Sequence, residues 1–176
     1  TMNPLSVWNF CPKCGEKSFE NYELRAKRCS RCGHVFFLNS ATAVAVFILN
    51  SKNELLVARR SIEPVKGTLD LVGGFLEFEE SAEEGVVRET KEETGLTLDK
   101  NKLTYLFSLP NIYPFSEIEI HTIDLFFKYQ IQSENIVLNP QDDICELQFV
   151  PINQIDYKEF GLKSVQNAIL QFQKKF

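Results

Sequence analysis

Apolar and polar positions divide this chain into a polar, cysteine-marked beginning and a longer apolar-rich remainder. Residues 41–50, ATAVAVFILN, form a nearly unbroken apolar run, and after the polar break SKN a second run, ELLVARR, covers 54–60. Two such runs joined by a short polar turn predict a hairpin or adjacent strands. Further strands are expected at LTYLFSL (103–109), EIEIHTIDLFFKYQI (117–131) and CELQFVPI (145–152). The closing segment FGLKSVQNAILQFQKKF places Leu162, Val165, Ile169 and Phe172 at helical intervals, which predicts an amphipathic helix. Another helix is marked by its ends. Ser81 opens SAEE, the Ser-x-x-Glu pattern of a capping box, and Gly95 suits the left-handed turn that stops a helix, so the span is Ala82 to Thr94.

A chain of 176 residues with 44% apolar side chains can bury a substantial core. We expect a small N-terminal ribbon, residues 1–38, followed by one α/β domain, 39–176, with no internal repeat. Fifteen phenylalanines against one tryptophan point to a Phe-rich interior rather than a base-stacking platform. No apolar run reaches the ~18 residues a membrane span needs, and the N-terminus lacks a secretory pattern, so no membrane partner and a cytoplasmic location are expected. A pI near 5.2 gives no global basic field for nucleic acid.

Four of the five cysteines fall early, as CPKC (Cys11, Cys14) and CSRC (Cys29, Cys32). Each pair is followed by glycine, Gly15 or Gly33, so a tight turn can aim two thiolates at one point, and two such turns complete a four-sulfur shell for a structural Zn²⁺. A disulfide would need an oxidising compartment. With four sulfurs in place, the adjacent His34 reads as an ordinary histidine. Residues 1–40 carry six Lys/Arg against three acids, but four thiolates around one Zn²⁺ contribute two negative charges. The electrostatic case for nucleic acid is therefore weak.

The stretch from Gly73 to Leu96 holds eight glutamates with one arginine and one lysine. On a helix, Glu89, Glu92 and Glu93 share a sector of ~100°, with Gly85 and Ala82 leaving a small-residue gap above them. Glu80 can lean toward the same end, and Arg88 has Glu84 and Glu92 at four-residue spacing. A solvated acidic surface is the plain alternative, since like charges at i,i+4 cost only about 0.2–0.5 kcal/mol. Bulk removed above three clustered acids favours a divalent cation instead, and an all-oxygen set suits Mg²⁺ or Mn²⁺.

From Gly74 the chain reads G-x5-E-x7-R-E-T-x-E-E-x-G-L, which resembles the Nudix box: Gly74, Glu80, Arg88, Glu89, Glu92, Glu93, Gly95 and Leu96 all fit. Thr90 stands where the pattern has an aliphatic residue, and Glu79 where a glycine commonly precedes the box glutamate. Thr90 points away from the acids and should mainly soften packing, whereas Glu79 bears on the turn presenting Glu80. The resemblance implies a Nudix-type α/β/α sandwich with a mixed sheet, preceded by a four-cysteine zinc ribbon. It also implies Mg²⁺-dependent hydrolysis of the pyrophosphate bond of a small nucleoside diphosphate derivative. Glu89, Glu92 and Glu93 would hold Mg²⁺, Glu80 would complete the site, and Arg88 would orient a box glutamate. The general base is left open between Glu93, Glu80 and, outside the box, Glu146; Cys145 beside it reads as a buried thiol.

A ribbon ahead of a Nudix domain resembles the NADH pyrophosphatases, which carry S-Q-P-W-P-F-P-x-S after the box. Here SLPNIYPFS (108–116) matches in part, so a substrate loop is expected there, with Tyr113 and Phe115 as base-stacking candidates. Arg59, Arg60 and Lys66 are candidates to reach phosphate. The expected substrate is NADH-like or ADP-ribose-like. A nucleotide-sensing module without turnover and an enzyme removing NAD caps from RNA are the alternatives. Related ribbon-bearing enzymes suggest a homodimer.

Overall fold

The computed structural model describes residues 4–133 and 135–175. They form two compact units: residues 4–41 with 112–121, and residues 42–111 with 122–175.

In the first unit, a 3-10 turn at Pro4–Val7 precedes a three-stranded antiparallel sheet of β1 (Phe19–Glu23), β2 (Ala26–Cys29) and β3 (Val35–Phe37). Its small core gathers Cys11, Phe19 and Cys29, with Trp8 and Phe36 packed against them. So little apolar burial makes a metal the natural source of stability for a unit of this size.

The second unit is built on a mixed sheet. Its strands are β4 (Ala41–Leu49), β5 (Glu54–Arg60), β6 (Leu69–Asp70), β7 (Val72–Phe75), β8 (Thr104–Phe115), β9 (Ile118–Gln130) and β10 (Ile144–Pro151). The main order is β10-β5-β4-β9-β8. The C-terminal ends of β4 and β9 meet, with Ile131 N–H donating to Leu49 O at 2.8 Å, so that pair is parallel. Two helices complete the unit, α1 (Ala82–Thr94) and α2 (Lys163–Gln173).

The helices cover opposite faces. Val44, Val46 and Ile48 of β4 pack with Leu56, Phe127 and Val86 of α1. Ala45, Phe47 and Leu49 pack with Leu55, Val57, Phe126 and the α2 residues Val165, Ala168, Ile169 and Phe172. A strand buried on both faces cannot alternate in polarity, which is why 41–50 reads as one apolar run. The fold is thus α/β with helices on both sides of the sheet. Phenylalanines do fill the interior: Phe47, Phe126, Phe127, Phe160 and Phe172 are fully buried, and Phe47 stacks on Phe172 at 4.1 Å.

Strands β4 and β5 start as neighbours at Leu49–Leu55 and then separate. β6 fills the gap on the β5 side and β7 on the β4 side, pairing Ala45 with Gly73 and Val44 with Gly74. At Gly73, φ is 152° and an added Cβ would lie 2.0 Å from Val44 O, so only glycine fits this close approach. The wedge delivers Gly73 and Gly74 to α1.

Of the segment expected as a substrate loop, 108–116, residues 108–115 form the outer part of β8 and Ser116 opens the turn that follows. Its reversal is a two-residue turn at Ser116 and Glu117, both with positive φ (51° and 64°), matching the twist of a tight hairpin. Prolines 110 and 114 are tolerated because β8 ends the sheet order. Among the described residues, no helix is long and apolar enough to cross a membrane.

Candidate functional site

Helix α1 begins and ends where its caps predict. Ser81 Oγ accepts from Glu84 N–H at 3.3 Å, Glu84 reaches back to Ser81 N–H at 3.0 Å, and Gly95 closes the helix in the left-handed conformation at φ 76°. Glu84 is thereby committed to the cap and to Lys100 at 3.0 Å, and the ionic partners of Arg88 are other acids.

Arg88 is the centre of the acidic cluster. Its Nη2 and Nε donate to the two oxygens of Glu80 at 2.6 and 3.1 Å, a bidentate fork that holds the Glu80 carboxyl below the usual carboxylate range. Its Nη1 donates to Glu89 at 2.8 Å and Glu92 at 3.0 Å, and Nη2 also reaches Phe75 O at 3.0 Å. Glu80 further accepts from Glu77 N–H at 2.7 Å, which ties the loop between β7 and α1 to the helix. The residue before Glu80, Glu79, sits at φ 66°, the region glycine adopts without strain.

The three helix acids differ in environment. Glu92 is exposed, whereas Glu89 is 9% and Glu93 4% exposed. Glu93 accepts from Gly73 N–H at 3.0 Å, and burial pushes its pKa well above the ordinary value, with Asp70, Glu89 and Asp143 adding to the rise. Burial also raises Glu89, opposed by Arg88. The space expected above the acids is filled from β7 and its loop. Gly85 lies under Leu76 and Glu80, because an added Cβ would meet Leu76 Cδ2 at 2.3 Å and Glu80 Oε1 at 3.1 Å. The glycine that makes room for Glu89 is Gly74, whose Cβ would fall 2.4 Å from Glu89 Oε1. Thr90 is fully buried with Oγ1 unpartnered.

Outside the box, Glu146 is exposed and paired with Arg59 Nε at 2.7 Å across β10 and β5, while Arg59 Nη1 donates to Gly67 O at 2.8 Å. Arg60 is buried, with Asp70 at 3.0 Å and Pro64 O at 2.9 Å. Cys145, expected to be buried, is exposed, because a register shift between Ile144 and Glu146 turns it outward at the edge strand. Tyr113 and Phe115 belong to the hairpin end grouped with the first unit, Tyr113 half-buried and Phe115 exposed. Two acids that the sequence pattern did not single out do bear on the helix: the charge of Asp142 acts on Glu89, and that of Asp143 acts on Glu93. The backbone explains their approach, since Gln141 N–H donates to Glu93 O and Ser61 N–H to Asp143 O.

In the first unit the two cysteine turns are alike. Gly15 N–H donates to Cys11 O at 2.9 Å and Gly33 N–H to Cys29 O at 3.0 Å, with φ of 73° and 72° at the glycines. The four Sγ atoms lie within 4.8 Å of one another, with Cys11–Cys32 at 3.8 Å and Cys14–Cys29 at 3.7 Å, and none is in a disulfide. A tetrahedron with metal–sulfur bonds of about 2.3 Å has edges of about 3.8 Å, so the cluster already has the dimensions of a four-thiolate metal site. Among the described residues it is the one group with three or more such ligand atoms this close; in the acidic cluster Arg88 bridges Glu80, Glu89 and Glu92.

A sequence model of the NUDIX domain matches residues 39–171. The chain belongs to the Nudix family. It is 35% identical over 129 residues to an ADP-ribose pyrophosphatase of Methanocaldococcus jannaschii, covering 73% of this chain and 72% of that protein. It is 33% identical over 116 residues to the NAD-capped RNA hydrolase NudC of Haemophilus influenzae, covering 65% of this chain but 43% of that protein, so it spans under half of this relative's length. In fold it resembles the crystal structure of a NUDIX hydrolase from Nitrosomonas europaea, with TM-score 0.69, 18% identity, and coverage of 95% of this chain and 91% of that one. These relationships place the chain among the Nudix pyrophosphohydrolases.

Proposed function

We propose that this Nudix protein hydrolyses the pyrophosphate bond of a nucleoside diphosphate derivative, NADH-like or ADP-ribose-like, with Mg²⁺ or Mn²⁺ in the α1 site and Zn²⁺ in the four-cysteine ribbon. Residues 1–38 are taken as the ribbon and 39–176 as the hydrolase domain. The observation that carries the reading is the buried negative charge at α1. Glu89 meets Arg88 at 2.8 Å, Glu93 is buried against the Gly73 amide, and Asp142 and Asp143 add to the negative excess. Carboxylates raised in pKa by burial and by each other are relieved by a hard cation with oxygen ligands, so the donor set fits Mg²⁺.

Glu89, Glu92 and Glu93 would hold the ion, with Glu80 completing the set. Mg²⁺ held by these residues would supply positive charge against the substrate's phosphates and would make a water more acidic. The protein supplies the rest. Arg88 fixes the Glu80 carboxylate through its fork and shares Glu89 and Glu92, so it positions ligands rather than substrate. Gly73 N–H orients Glu93. For proton removal from the attacking water, Glu93 and Asp143 are the better-placed acids. Glu146 is neutralised by Arg59, which in turn offers the substrate less than an unpaired arginine would. Tyr113 and Phe115 remain candidates for the base of the substrate. The four-cysteine site is closed by sulfur, so its zinc would be structural and would suit a reducing, cytoplasmic compartment.

A hydrolysis panel of NADH, NAD⁺, ADP-ribose, dinucleoside polyphosphates and nucleoside triphosphates with Mg²⁺ tests this reading. Glu92→Gln and Glu93→Gln should each lower kcat by at least about 100-fold, or roughly 3 kcal/mol. Undiminished turnover in both would remove the site assignment, and no turnover on any compound would favour a nucleotide-sensing module. The likeness to NudC keeps NAD-capped RNA as the second substrate class, and cap removal that falls steeply with salt would favour it.

A further inference from the structure

Arg60 closes β5 at a junction of three segments. It pairs with Ile144 at the start of β10, its N–H donates to Thr68 O at 3.1 Å, and its C=O accepts from Gly67 N–H at 3.0 Å. The residue is only 8% exposed, which leaves little of it for the phosphate contact expected from the sequence. Its Nη1 donates to Asp70, the last residue of β6, at 3.0 Å, and its Nε donates to Pro64 O at 2.9 Å. The guanidinium thereby holds β6 and the 61–67 corner at once. Backbone bonds carry that order onward. Ser61 N–H donates to Asp143 O at 2.8 Å, Gln141 N–H to Glu93 O at 3.0 Å, and Asn139 N–H to Thr94 O at 3.0 Å. Residues 139–143 are thus strapped between the Arg60 corner and the last turn of α1.

We infer that Arg60 is a positioning residue of the α1 metal site: its guanidinium fixes the 61–67 corner, and through it the 139–143 strap that bonds the turn of α1 bearing Glu93. The inference rests on the proposed metal site and adds a residue outside its ligand set. Mg²⁺ demands near-ideal octahedral geometry, so a ligand whose backbone is loosened binds it less well. Residues behind the ligands are typically worth ~10–100-fold in metal affinity. Electrostatics follows the same path. Burial raises both Asp143 and Glu93; the Arg60 charge opposes the first rise and the Asp70 charge adds to the second. Arginine is suited to the post because one planar fork gives two directed donors, which a lysine ammonium does not reproduce. The plain alternative is a buried ion pair that serves the fold alone. That alternative predicts lost stability with unchanged metal affinity in any variant that folds. Charge alone predicts the opposite sign, since deleting a cation near clustered acids tightens divalent binding.

The test is Mn²⁺ binding to the full chain, followed by the electron paramagnetic resonance of the free ion. Arg60→Met combined with Asp70→Asn removes both charges, so neither is left buried alone. This double variant should bind Mn²⁺ at least about tenfold more weakly. It should also lower kcat while leaving KM within about twofold, and speed amide exchange at Ser61 and Gln141. Arg60→Lys keeps the charge and should recover only part of the affinity. Thermal melting verifies that each variant folds; if the double variant does not, Arg60→Lys decides. Parent-like Mn²⁺ affinity in the double variant, or full affinity in Arg60→Lys, would overturn the positioning role. A raised KM with unchanged kcat would return Arg60 to the substrate's phosphates and overturn it too. A parent protein whose Mn²⁺ binding is absent, or indifferent to Glu93→Gln, would instead overturn the metal site itself, and with it this inference.

Discussion

Thr90 and Glu79 are two positions of the Nudix box where a single side chain works against its surroundings. Thr90 Oγ1 is buried without a hydrogen-bond partner, where a methyl group of the same size would lose nothing. Thr90→Val should therefore raise stability by roughly 1–2 kcal/mol, read as a higher urea midpoint at unchanged slope. Glu79 holds φ 66° against the preference of every residue with a Cβ. Glu79→Gly should add about 1 kcal/mol by relieving that strain, and a loss of stability instead would mean that its side chain holds the loop. Glu93 sets a pH dependence. Its pKa is raised well above 4.5, so between the unfolded and folded values the native state keeps a proton that the unfolded chain has released. Stability without divalent cation should thus be fullest below the unfolded pKa and fall as pH rises through the folded one. Denaturation curves across that range should show the decline in the parent and a flatter profile in Glu93→Gln.

At the scale of elements, α1 was legible because everything that bounds it is local. Ser81, Glu84 and Gly95 are within one turn of the helix ends, and Ser81→Ala should cost about 1 kcal/mol of stability, measurable by denaturant titration. The apolar runs of β4 and β5 were legible for the same reason. What the wedge of β6 and β7 does was not, since two- and four-residue strands carry too little pattern to announce themselves. Nor was the strand character of 110–115 visible. Two prolines and an asparagine argue for a loop, and only the position of β8 at the end of the sheet makes them acceptable.

For the whole molecule, the four-cysteine unit carries the clearest global prediction. Cys29→Ser should reduce bound zinc from one per chain to none, and amide exchange across residues 11–37 should rise sharply, because three small strands with so few buried apolar residues cannot offset their own chain entropy. Protection that survives zinc loss would refute that dependence.

The amino-acid sequence by itself determined the cysteine turns, the capped acidic helix, the doubly buried strands and the closing helix, because caps, turns and periodicity act over a few residues. Tertiary structure alone decided the partners. Arg88 reaches Glu80, eight residues away, in addition to its helix neighbours. Glu84 turns to Lys100, Glu146 meets Arg59 from 87 positions along the chain, and Asp143 comes to Glu93. Side chains of equal charge have the same local signature, so which one pairs with which is settled only when distant strands and loops bring particular groups within a few ångströms and remove the competing water.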